Sequence, residues 1–212
     1  MNLTHYCINH HTIFLVTSPV SSLSDRIGSL FTKISAQMIH VCKETLSAEG
    51  RLWDQGPILI QNLKDCIKLK DEYQKYYRLE KDKLRRQKGK QFEFTELELF
   101  GKFELFCSRI KTLIELFSTI EQFKSLQTQN IEGMDGLITK FFSYVEELKR
   151  KSSNLLDYTK NSFDKDYMAF NKKITHLEQS LQVTINTSFE NISSSEHALN
   201  LLKKFQSILL RE

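Results

Sequence analysis

Proline is missing from everything after Pro57. The chain of 212 residues holds two prolines, Pro19 and Pro57, and seven glycines. A proline-free run of that length argues against a turn-rich β sandwich and suits long helices. Tryptophan occurs once against 15 phenylalanines, so the core has to be built on Phe and Leu. Uninterrupted apolar runs are missing too: none approaches the ~20 residues of a membrane span. The Ile13 to Val16 run is too short for a signal-peptide core, and no basic residue precedes it.

Charge of one sign is also lacking. Thirty basic and 26 acidic residues leave a net +4, closely mixed, which makes a solvated, salt-bridged surface with no push toward nucleic acid. The densest basic stretch is Arg78, Lys81, Lys83, Arg85, Arg86, Lys88 and Lys90, broken by Glu80 and Asp82. It reads as the exposed end of a helix and its loop, with an acidic partner or a membrane surface as the competing reading.

Metal-ligand spacing is absent among Cys7, Cys42, Cys66 and Cys107. Cys66 and Cys107 sit at apolar positions as small core residues, and isolated cysteines fit a reducing, intracellular compartment. His5, His10 and His11 could bind a metal opportunistically, but no acidic residue lies near them, and this is the minor reading. The acceptor patterns at Asn2, Asn186 and Asn191 are chance matches without a secretory route. There is no G-x-x-x-x-G-K-[ST] loop to cradle phosphates and no G-x-G-x-x-G turn. No cofactor is expected and no enzyme is read here.

What is present is helical periodicity. The first helix is expected from about Leu23 to Leu46, with Leu23, Ile27, Leu30, Ile34, Met38 and Val41 inward; Gly50 and Gly56-Pro57 reset the chain. Trp53 sits in the turn, its indole packed on a neighbour. A second helix runs from about Ile58 to Arg86 through Leu63, Cys66, Ile67, Lys70, Tyr73, Tyr77 and Leu84, with Lys70 breaking the stripe. Tyr73, Tyr76 and Tyr77 read as packing at an edge. Gln87 to Phe94 forms a loop anchored by Phe92 and Phe94. Thr95 with Glu98 makes a capping box, opening a helix whose seam is Phe103, Phe106, Ile110, Leu113, Phe117 and Ile120. Phe100, Ile114, Leu116 and Phe123 widen that seam beyond what a two-stranded coil needs.

Leu137 to Arg150 gives a shorter helix with Leu137, Phe141, Tyr144, Val145 and Leu148 inward. Lys149, Arg150 and Lys151 suit its negative end. Ser152 to Asn161 connects, with Leu155 and Leu156 buried. A long helix follows on Phe163, Tyr167, Phe170, Ile174, Leu177, Leu181, Ile185 and Phe189. Ser193 with Glu196 offers a second capping box, and the last helix carries Ala198, Leu201, Leu202, Phe205, Ile208 and Leu209. That pattern is still strong at Arg211-Glu212, as in a piece of something longer. The expected fold is all-α, an elongated bundle of about five to six long amphipathic helices. It divides into 1–18, 19–86 and 95–212.

Polar clusters are weighed as structure before chemistry. Asp157, Asp164 and Asp166 with Lys160 and Lys165 flank a helix start, where capping and interhelical pairing outweigh acid–base work. His176 is expected to pack beside the seam, and His40 and His197 are isolated on helices.

From about Ser21 to Glu212 the sequence resembles the N-terminal tail of axonemal dynein heavy chains, most like the outer-arm type. The stretches that carry this are Leu99 to Leu126, Asn130-Ile-Glu-Gly-Met134, Leu155 to Asp164, Asn186 to Ile192, Glu196 to Leu202 and Phe205 to Leu209, in that order. Trp53-Asp-Gln55 fits as well, whereas Met1 to about Ser18 does not look like the family and is read as a disordered extension. The resemblance implies helical bundles that join heavy chains to each other and to intermediate and light chains. It implies an indirect link to microtubules and a place in the cytoskeleton of a ciliary or flagellar axoneme. The family's ATPase ring and microtubule-binding stalk lie downstream of such a tail. A scaffold is therefore expected, without nucleic acid or membrane. A membrane-surface-binding protein or another coiled-coil adaptor is the alternative. The faces expected to meet partners are Phe103, Phe106, Ile110 and Phe117, then Phe170, Ile174 and Leu181; the bland reading is that these pack only on each other.

Overall fold

The computed structural model of the chain describes residues 23–88, 95–129, 131–152 and 154–209. The extension 1–18 with its three histidines, and Phe92 and Phe94, lie outside the described residues. So do the side chains of Leu23, Leu84, Phe205, Ile208 and Leu209. Six helices are described: α1 (Leu23–Ala48), α2 (Pro57–Lys88), α3 (Glu96–Gln129), α4 (Asp135–Lys151), α5 (Ser162–Glu190) and α6 (Ser195–Leu209). A 3-10 turn, Leu52–Asp54, lies between α1 and α2, and no strand occurs among the described residues. The chain is all-α.

Two compact units divide it, one within Met1–Gly50 and Gln61–Lys111, the other within Arg51–Ile60 and Thr112–Glu212. The division falls inside α2, after Ile60, and inside α3, after Lys111, whereas the sequence pattern breaks at the 86–95 connection. A helix apolar around so much of its girth supports a core along its whole length.

In the first unit α1, α2 and the first part of α3 pack together. α2 opens on Pro57, whose missing N–H falls where a helix start leaves donors unpaired anyway. α3 opens on the expected capping box: the Thr95 N–H donates to Glu98 Oε2 at 3.1 Å and the Glu98 N–H to Thr95 Oγ1 at 3.3 Å. Leu63, Cys66, Tyr77, Leu99, Phe100, Phe103, Phe106, Cys107 and Ile110 are buried. Phe31, Tyr73, Tyr77 and Phe100 interlock edge to face, with Tyr77 and Phe100 centroids 5.3 Å apart. Tyr76 points out.

The break that Lys70 makes in the α2 stripe is filled by a polar chain. Lys70 Nζ donates to Gln74 Oε1 at 3.1 Å, and Gln74 Nε2 donates to Glu104 Oε1 at 3.0 Å. On α1 the buried face is rotated from the expected one. Ser35, Met38, Ile39, Cys42 and Leu46 are buried, while Ile27, Leu30, Ile34 and Val41 are half-buried. Ser35 fits there because its Oγ donates to the Leu99 carbonyl at 3.0 Å, satisfying a polar group in the core.

In the second unit α3 continues through Leu113, Leu116, Phe117, Ile120 and Phe123, all buried. Trp53 meets Phe117 edge to face at 5.3 Å, as a turn indole packed on a neighbour. α4 buries Ile138, Phe141, Val145 and Leu148. Leu137 and Tyr144 are half-buried, so Ile138 takes the place expected of Leu137. Leu155 and Leu156 are buried in the connection to α5. α5 buries Phe163, Tyr167, Phe170, Ile174 and Leu177. The cap of α6 is Ser194 and not Ser193: its Oγ accepts the His197 N–H at 3.1 Å, and its carbonyl accepts the Ala198 N–H. Glu196 then occupies the first turn, where it favours the positive end of the helix.

Candidate functional site

Acid–base chemistry needs carboxylates or histidines whose titration is shifted into range inside a cleft. The Asp157 cluster is tied up differently. Asp157 Oδ1 accepts from the Thr159 hydroxyl at 2.6 Å and the Thr159 N–H at 3.2 Å, and Lys160 Nζ is 3.4 Å from Oδ2. The Thr159 hydroxyl, outweighing burial, holds the Asp157 carboxyl below its usual range. That is a turn motif. The hollow beside it, about 70 Å³, is lined by Ser152, Asn154, Ser162 and Asp166 among others and has room for a few waters.

His176 is exposed on α5, not packed beside the seam, and His197 is exposed at the start of α6. His40 is exposed as well, its Nε2 3.2 Å from Glu44. Among the described residues no group of three His, Cys, Asp or Glu side chains is placed to hold a metal. No described helix is long and apolar enough to cross a membrane.

The polar contacts that do stand out are between helices. In the first unit Arg78 forks onto Glu96, with Nε 2.9 Å from Oε1 and Nη2 2.6 Å from Oε2. The guanidinium holds the Glu96 carboxyl below its ordinary range. In the second unit Glu147 of α4 takes Lys151 at 2.8 Å and Lys173 of α5 at 2.6 Å. Those two ammonium groups bring its carboxyl down to about 2. Lys173 also lies 4.9 Å over the Tyr144 ring. Tyr167 is buried, and burial above all pushes its phenol up, with the Glu115 carboxylate adding to it.

Of the residues expected to meet partners, Phe103, Phe106 and Ile110 are fully buried in the first unit. Phe117, Phe170 and Ile174 are buried in the second, and Leu181 is half-buried. The first six are core. The apolar side chains that reach solvent are others. In the first unit they include Leu97, 75% exposed, and Leu105, 61% exposed, on α3, with Tyr76 and Leu79 on α2.

In the second unit the change comes along α5. Burial is complete to Leu177, after which Leu181, Ile185 and Phe189 are only half-buried. α6 follows, holding on through buried Leu201 while Leu199 and Leu202 stand about half exposed, at 52% and 53%. Their spacing of three puts the last two on one helix face. Spacing alone could have pointed to Leu202, but Leu199 lies off the seam that periodicity picks out.

Over residues 9–212 the chain matches the family described as dynein heavy chain, N-terminal region 1. The match takes in residues 9–18, part of the stretch expected to lie outside the family. The chain is 44% identical to the dynein gamma chain of the flagellar outer arm of Chlamydomonas reinhardtii, over 90% of its own length and 4% of that protein. It is 39% identical to dynein axonemal heavy chain 5 of Rattus norvegicus, over 87% of its length and 5% of that protein. To dynein axonemal heavy chain 8 of Homo sapiens it is 36% identical, over 87% of its length and 4% of that protein. The chain thus spans about one-twentieth of the relatives it matches.

Proposed function

The chain belongs to the dynein heavy chain family, within its N-terminal region, and we propose that it is a non-catalytic scaffold segment of an axonemal heavy-chain tail. In this reading it associates with other heavy chains and with intermediate and light chains, in an outer-arm-type motor complex of a cilium or flagellum. Movement along microtubules belongs to the whole assembly, and this segment holds it together.

The observation that carries the reading is the contrast between a fully closed Phe and Leu core and the open apolar strip beside it. Phe141, Phe163 and Phe170 are shut inside the second unit, whereas Leu181, Ile185, Leu199 and Leu202 are left partly or largely uncovered. Apolar area left on a helix next to well-packed neighbours suits a protein partner. The names of the relatives, a flagellar outer-arm chain and two axonemal heavy chains, support an axonemal setting.

The test is sedimentation velocity of the purified chain with outer-arm intermediate chains, with liposomes as a separate arm. A discrete complex is expected. Leu199→Glu with Leu202→Glu should weaken it at least about tenfold while the circular dichroism of the helices is unchanged. A monodisperse monomer that binds no dynein subunit would sink the proposal, and co-sedimentation with liposomes would favour a membrane-surface protein instead.

A further inference from the structure

Three buried cysteines from three helices lie at one level of the first unit. Ser35 of α1 donates to the Leu99 carbonyl of α3, 64 positions on, and Lys43 Nζ lies 5.9 Å over the Phe106 ring. α1 and α3 therefore run in the same direction in a fixed register. Seven residues beyond Ser35 is Cys42, and eight beyond Leu99 is Cys107, each two turns along and still facing inward. Phe31 of α1 packs edge to face on Tyr77 of α2 at 5.2 Å. Eleven residues along α1 from Phe31 is Cys42, and eleven residues back along α2 from Tyr77 is Cys66. The register thus sets Cys42 opposite Cys66, with both side chains buried. Cys42, Cys66 and Cys107 are free thiols, exposed by 3%, 6% and 3%.

We propose that Cys42 and Cys66 form an oxidisable dithiol, closed by hydrogen peroxide into an intrachain disulfide that clamps α1 to α2. The Cys66 thiol beside it lowers the Cys42 thiol from its ordinary value, so Cys42 supplies the attacking sulfur. That sulfur attacks one peroxide oxygen: an S–O bond forms, the O–O bond breaks, and the departing hydroxide takes up the Cys42 proton as water. The Cys66 sulfur then attacks the Cys42 sulfur: S–S forms, S–O breaks, and the second hydroxide leaves with the Cys66 proton. Two thiols are oxidised and one peroxide is reduced to two waters. Cys66 and Cys107 are both held well above the ordinary thiol range, so Cys66 attacks as a thiol that gives its proton to the departing hydroxide, and its place opposite Cys42 makes it the partner. Peroxide is close to water in size, so local opening of the helix pair admits it where bulky thiol reagents stay out.

The experiment uses the full chain carrying Cys7→Ser, which keeps intermolecular pairing out of the readout. The folded protein is treated with hydrogen peroxide, quenched, alkylated in denaturant, digested without reductant and read by mass spectrometry. The expected result is one joined peptide pair holding Cys42 and Cys66, lighter by two hydrogens and released by dithiothreitol, with Cys107 alkylated. Cys107→Ala should leave that pair intact. Cys66→Ala, its helicity checked by circular dichroism, should abolish it and drive Cys42 on to sulfinic acid. Alkylation of all three thiols after peroxide overturns the proposal, and so does a joined pair in which Cys107 replaces Cys66.

Discussion

Phe123 of α3 and Phe141 of α4 lie ring on ring, 3.7 Å between centroids and 2° from parallel. Phe141 also meets Phe142 at 5.2 Å and Phe170 of α5 at 6.3 Å, and it is fully buried. One side chain therefore ties three helices of the second unit. Phe141→Ala should cost about 3–5 kcal/mol, the transfer term plus the cavity it leaves. Phe142→Ala, at a half-buried neighbour, should cost clearly less. Urea unfolding followed by circular dichroism checks both. Equal losses would mean that the stack is not the centre of that core.

Tyr73 and Tyr77 are core residues whose hydroxyls are buried without a hydrogen-bond partner. Burial pushes both phenols up, so neither ionises in the working range. A buried hydroxyl with no partner carries its desolvation cost uncompensated. Tyr77→Phe and Tyr73→Phe are thus expected to leave stability unchanged or raise it by up to about 1 kcal/mol, with the Phe31 and Phe100 contacts kept. A loss above about 1 kcal/mol in a melting or urea series would show that the hydroxyls are hydrogen-bonded in solution.

Glu147 gives the second unit a defined acid sensitivity. Its carboxyl lies at about 2 in the fold against 4.5 when unperturbed, because Lys151 and Lys173 favour the charged form. A depressed carboxylate contributes stability that is fully present above the unfolded value. That contribution fades as pH falls from about 4.5 toward about 2. Both partners are solvent-exposed, so it is screened by salt. Glu147→Gln should lower the urea midpoint at pH 7 in low salt and lose most of that effect at pH 3 or in 1 M salt. A difference that persists at pH 3 would assign Glu147 a packing role instead.

Helix positions were legible because apolar spacing, the Thr95–Glu98 box and Gly56-Pro57 all act locally. What the letters left open depends on neighbours. Ser35 is buried because a backbone carbonyl of α3 comes within 3.0 Å of it, which no spacing on α1 announces. Ser193, Ser194 and Ser195 are chemically equivalent as caps, and the choice of Ser194 depends on where the chain leaves α5. Phe103 and Leu202 both read as members of an apolar stripe. That one is sealed and the other 53% exposed is decided by which helices cover each stripe. The candidate surface was therefore legible as apolar helix faces, and its location was not.

Gly133 and Gly136 lie three residues apart and should respond to alanine with opposite signs. Gly133, in the turn from α3 to α4, has φ +82°. A Cβ there would meet only Thr184 Cγ2 at an ordinary 3.5 Å, so the cost of Gly133→Ala is conformational. It should be about 1 kcal/mol, from holding an L side chain in the left-handed region. Gly136 lies in the first turn of α4, and a Cβ there has nothing within 4 Å. Gly136→Ala restricts the unfolded chain and raises helix propensity, for a gain of about 0.5–1 kcal/mol. Urea midpoints of the two variants should move apart by roughly 1.5–2 kcal/mol in equivalent stability. If Gly133→Ala were neutral, the backbone there would have to relax out of the left-handed region. Ile131 and Met134, both buried beside it, would then be held by their own packing and not by the turn.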